Sequence, residues 1–198
     1  MEYEKNFLND FKEVGADWSI KRMIYSVLPL LVILTLLELV TGFVLEDLKK
    51  KFVANPALLV LVPPLKDLAG NFGSVISSRI STRLHLGASS AKTFYDEKFL
   101  EDFGGVLLLS LVLSVSLSGF TYLFSVIVGY KTPFITILKI SAATTVILVV
   151  FVSLLSVFIV NISYLKNINP DDIAIPIITN FADIFSVIIF AGLVILII

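Results

Sequence analysis

The 198-residue sequence has no cysteine and a single histidine, His85. The first absence excludes disulfides, thiolate metal sites and cysteine nucleophiles together. A lone histidine excludes a multi-histidine zinc site within one chain. Charge is scarce as well: 16% of residues are charged, against about 25% in ordinary soluble domains. The net charge is -1, so nothing in the balance points to nucleic acid, and the charged residues gather in short clusters between apolar runs. The first 20 residues lack the basic start and apolar core of a signal peptide.

What the chain does have is apolar length. Hydrophobic residues make up 57% of it, and a bilayer demands runs of about 20 such residues per helix. Five apolar segments span roughly 23–45, 54–86, 103–130, 133–164 and 171–198. Their connections are too short to hold a soluble domain or to bind a soluble substrate. The expectation is an all-α integral membrane protein: a five-helix transmembrane domain over 21–198, in contact with lipid. Ahead of it, Phe7, Phe11, Val14 and Trp18 recur at helical spacing, which predicts an amphipathic helix over 1–20 lying at the membrane surface. An odd number of spans puts the termini on opposite sides. Arg79, Arg83, Lys98 and the basic residues before the first span share one side, against Lys49, Lys50, Lys51 and Lys131 on the other. That bias predicts a cell-membrane protein with its N-terminus in the cytoplasm.

The second segment is anomalous. As a straight helix its 33 residues would run roughly 50 Å at 1.5 Å per residue, well past a hydrocarbon core of about 30 Å. Pro63 and Pro64 remove two backbone donors, and Gly70 and Gly73 loosen the next turns. The segment is therefore expected to be long and broken. Irregular backbone at membrane depth is tolerated where protein or a water-filled cavity satisfies it, and discontinuous helices recur at ion sites.

Two motifs bring a resemblance. "PPLKDLAGNFGSVISSRISTRLHLG" and "NPDDIAIPIITNFADIF" resemble the second and closing helices of the membrane repeat of solute carrier family 41, which is related to the MgtE magnesium channels. The resemblance implies a pathway for divalent cations, Mg²⁺ foremost, with Mn²⁺, Co²⁺ and Ca²⁺ as alternatives. It places that pathway where the second and fifth helices of two such units meet. A single repeat is therefore expected to form a homodimer with its pore at the interface. MgtE proteins carry a large cytoplasmic sensor, and only a 20-residue lead precedes the first span here, so sensor gating within the chain is not expected.

The charged residues support a path of their own. Asp171 and Asp172 follow Asn169 and Pro170, where they complement the positive end of a helix dipole. A structural role accounts for both, and Asp172 is also a candidate at the pore mouth. Asp183 has no such role. It lies 13 residues past Pro170 and 15 before the C-terminus, near the bilayer centre, where an aspartate costs roughly 2.5–3.5 kcal/mol on insertion scales. Asp172, Pro176, Thr179, Asp183 and Ser186 share one helical face. In a homodimer two copies of Asp183 face each other and repel, and a hydrated dication relieves the conflict. Mg²⁺ sheds water reluctantly and is held through few carboxylates, which makes Asp183 and Thr179 its expected contacts. Asn71 is a candidate lining residue or a cap for loosened backbone. Glu38 is either a further cation ligand or the partner of Lys66. Arg79, Arg83 and His85 are expected to anchor at lipid headgroups, with subunit packing or a gate as the alternative. Ser110, Ser114 and Ser118 are expected to let helices approach closely.

Two other classes remain open from the residues. A membrane-embedded aspartyl enzyme needs two carboxylates from different helices, and Asp183 with Asp67 or Glu38 supplies a pair. The fifth segment, however, reads Phe-Ala-Asp where such proteases carry Gly-x-Gly-Asp, and no hydrolase motif is present. A cation/Na⁺ exchanger of the same fold is the other alternative.

Overall fold

A computed structural model describes residues 20–87, 97–166 and 170–198, with side chains described from residue 28 and, in the last segment, from 173. The surface helix expected over 1–20 lies outside the described residues. Among the described residues six helices follow in order: α1 (Ile20–Asp47), α2 (Lys49–Ala54), α3 (Ala57–His85), α4 (Glu97–Val128), α5 (Phe134–Leu165) and α6 (Pro170–Ile197). No strand occurs among the described residues. Four helices among the described residues are long and apolar enough to cross a membrane: α1 over Leu28–Asp47, α4, α5, and α6 over Ile173–Ile197. The chain is a multi-pass membrane protein.

The short connection after the first segment folds as the helix α2, in which Leu48 and Phe52 have an apolar surface to bury against. Phe52 stacks on Phe190 of α6 at 6.2 Å.

The break expected in the second segment is absent. α3 is one helix of 29 residues with Pro63 and Pro64 inside it. The physical reason is packing. Both prolines lie past the first turn, so each removes a ladder bond, but Leu58, Leu61 and Leu65 around them are fully buried in the bundle. Packing on both sides of the prolines outweighs the missing bonds. Gly87 and Gly129, at φ 64 and 88, stop α3 and α4 in the left-handed conformation that glycine adopts without a Cβ clash.

α3, α5 and α6 form the centre. Ala69, Phe72, Ile76 and Ile80 of α3 cluster with Ala174, Ile178 and Ala182 of α6. Ala57, Leu58, Leu61 and Leu65 cluster instead with Val187, Phe190 and Val194. The two helices therefore run antiparallel. Apolar side chains gain little by leaving lipid for one another, so close packing of small residues must hold the bundle together. α4 fits this: Ser110, Ser114 and Ser118 are fully buried, and Ser141 of α5 donates to the Ser114 carbonyl at 3.4 Å. α1 sits outermost, packed on α6, and among its described residues Leu34 and Thr41 are buried with Glu38 half-buried between them.

Candidate functional site

Asp183 stands at the middle of α6. On the same side of that helix, Ile175, Pro176, Thr179 and Asn180 join it in facing Leu31, Leu34 and Thr35 of α1 across a cleft of about 330 Å³. At roughly 30 Å³ per water molecule, that space admits a cation with a six-water shell.

The backbone of α3 closes the other side. A Cβ on Gly70 would lie 3.4 Å from Asp183 Oδ1 and 3.9 Å from Thr179 Cβ. One turn on, a Cβ on Gly73 would come within 2.8 Å of Ile178 Cγ2. The two glycines thus bring α3 against α6 at the level of the carboxylate, a placement that composition alone does not reveal.

Polar groups around Asp183 are arranged to accept. The Thr179 hydroxyl donates to the carbonyls of Ile175 and Pro176, at 3.0 and 3.1 Å, so its oxygen keeps lone pairs for water. Pro176 has no N–H to offer the carbonyl one turn before it. Asn180 Oδ1 is buried without a hydrogen-bond partner among the described residues. No side chain among those residues pairs with the Asp183 carboxylate. The charged groups near enough to act on it are Lys66, Glu38 and Asp67. A group of three or more carboxylates, histidines or cysteines that could hold a metal ion is absent among the described residues.

The other residues singled out in the sequence are distributed unevenly. Glu38 forms an ion pair with Lys66, both half-buried, which is one of the two roles open to it. Asn71 does not line the cleft. It lies on the exposed face of α3, where its amide donates to Asp67 Oδ2 at 3.1 Å. The side chain of Asp172 lies outside the described residues. Ser186 turns away and donates to the Asp183 carbonyl at 2.7 Å.

Arg79 and Arg83 both bind Asp102 of α4, at 2.5 and 2.8 Å, so they fasten α3 to α4. His85 lies over Tyr164, with ring centroids 5.9 Å apart. Sequence reasoning missed Asn180 and Thr35. Asn180 was within reach, because it lies three positions before Asp183 and such neighbours share a face; Thr35 sits on another helix and carried no signal.

A family model described as the MgtE divalent cation transporter matches residues 62–193, well over half of the chain, and takes in α4, α5 and most of α3 and α6 while leaving α1 outside. No curated protein matches.

Proposed function

The chain belongs to the MgtE family of divalent cation transporters, a family of transporters and not of enzymes, and from that premise we propose that two copies form a pore for hydrated Mg²⁺ lined by α3 and α6. The aspartyl-enzyme reading falls with the family. In the proposed assembly α3 is also a span, second in order and bringing the number to five, the N-terminus is cytoplasmic, and the exposed face of α3 meets its counterpart. The stripe on that face supports this arrangement: Asp67, Asn71, Ser78 and Thr82 are all exposed, and a row of polar side chains facing lipid is disfavoured at membrane depth. Asn71 then lines the path from the α3 side, and Asp172 stands at its mouth.

One observation carries the reading. Asp183, a carboxylate with no side-chain partner among the described residues, occupies the middle of a membrane-spanning helix beside a cleft of about 330 Å³. Such a group is stable there when water and a cation reach it. Thr179, Asn180 and backbone carbonyls accept hydrogen bonds from the ion's water, and the carboxylate pair supplies the field. Metal binding by the purified protein tests this. Equilibrium dialysis is expected to find one Mg²⁺ per two chains, competed by hexaamminecobalt(III), whose inert shell mimics the hydrated ion. Binding that survives Asp183→Asn, or that hexaamminecobalt(III) leaves untouched, refutes the proposed site.

A further inference from the structure

The ion pair between Glu38 and Lys66 has no part in the ion path just described, yet it sits beside it. Lys66 and Gly70 are four residues apart on α3, hence on one face, and Gly70 is the residue whose Cβ would meet the Asp183 carboxylate. Lys66 is among the charged groups that act on Asp183. One helical turn, about 5.4 Å, separates the two levels, a gap that the flexible four-carbon stem of lysine can cross. What keeps the ammonium group elsewhere is Glu38, the charged residue in the narrow stripe by which α1 packs on the bundle.

We propose that Glu38 is a positioning residue for transport: it holds Lys66 against α1 and so keeps a tethered cation off Asp183. The argument is electrostatic. An ammonium at this depth requires a partner, because an unpaired charge in a low-dielectric setting is strongly disfavoured. Glu38 is the carboxylate it pairs with, and Lys66 is the one cation among the charged groups that act on Asp183. With Glu38 present, Lys66 is satisfied and Asp183 is left for the transported ion. With Glu38 neutral, Lys66 turns to Asp183 and competes with that ion for the same oxygens. α1 lies outside the residues that match the family, so this restraint is supplied by a helix beyond the matched domain.

The inference rests on Asp183 being the cation site, and the test separates the two. Mg²⁺ influx is measured in liposomes over a range of Mg²⁺ for Glu38→Gln, Lys66→Gln, the double variant and Asp183→Asn, each checked for intact fold by circular dichroism and size-exclusion profile. Competition by Lys66 raises the half-saturating Mg²⁺ concentration of Glu38→Gln by about tenfold or more, as loss of the partner to a buried charge implies, and leaves maximal influx unchanged. Removing the lysine as well removes the competitor, so the double variant returns to near the wild-type value and Lys66→Gln alone never leaves it. A double variant no better than Glu38→Gln, a Lys66→Gln variant with the same defect, or a Glu38→Gln variant identical to the wild type overturns the inference. Wild-type influx in Asp183→Asn overturns the underlying site instead.

Discussion

Gly70 and Gly73 lie one turn apart on α3 and face the same neighbour, yet the structure assigns them different tasks. Replacing either by alanine removes the backbone penalty of a helical glycine, a gain of about 1 kcal/mol. At Gly73 the new methyl would lie 2.8 Å from Ile178 Cγ2 and 3.2 Å from Val152 Cγ1. Both neighbours are β-branched and hold one rotamer in a helix, so neither can swing aside, and α3 must shift from α6. Overpacking of this kind costs about 1–3 kcal/mol. At Gly70 the nearest atoms are 3.4 and 3.9 Å away, an ordinary contact, and the backbone gain stands alone. Comparing the two variants cancels the shared gain and leaves Gly73→Ala less stable than Gly70→Ala by about 1–3 kcal/mol. Denaturant unfolding in detergent micelles measures the gap. Function should sort the other way: Gly70→Ala folds normally but slows Mg²⁺ influx, because its methyl covers Asp183 Oδ1. Equal stability of the two variants, or a stable Gly70→Ala with unimpaired influx, refutes the reasoning.

Asp102 and Arg83 are the well-buried members of their cluster, with side chains 12% and 15% exposed, against 61% for Arg79. Asp102→Ala strands a buried guanidinium and is expected to cost about 3 kcal/mol in unfolding free energy, whereas Arg79→Ala costs less than about 1 kcal/mol. Ser114 is fully buried on α4 and Ser116 is exposed. Ser114→Leu should therefore destabilise by about 1–3 kcal/mol while Ser116→Leu stays within about 0.5 kcal/mol, read by the same unfolding assay. Because the chain has no cysteine, single cysteines report contacts cleanly. Asn71→Cys and Ser78→Cys are expected to cross-link into a species of twice 21.8 kDa, and Leu111→Cys, on the exposed side of α4, is not; a pattern reversed on a gel contradicts the proposed dimer face.

Asp183 was legible in the sequence because a carboxylate midway along an apolar run stands out without any knowledge of packing. The serine stripe of α4 and the Glu38–Lys66 pair were legible for a similar reason, since periodicity and the need of a buried charge for a partner are both local arguments. The prolines misled. Pro63 and Pro64 were read by their intrinsic effect on a helix, and the burial of Leu58, Leu61 and Leu65 that overrides it is a property of the bundle. The same limit hid Asp102, which reads as a polar residue at a helix start until the fold brings Arg79 and Arg83 to it. Gly70 was noticed as a weak point in α3, whereas its role depends on α6 passing antiparallel at that level. Thr35 belongs to the cleft through the docking of α1, which no pattern within α1 announces.

Mg²⁺ influx into liposomes, compared between the wild type and Asp183→Asn, tests the central claim most directly, because asparagine keeps the shape of the side chain and deletes its charge. The account predicts that influx falls to the level of protein-free vesicles while the variant keeps its fold and oligomeric state. Influx equal to that of the wild type contradicts it.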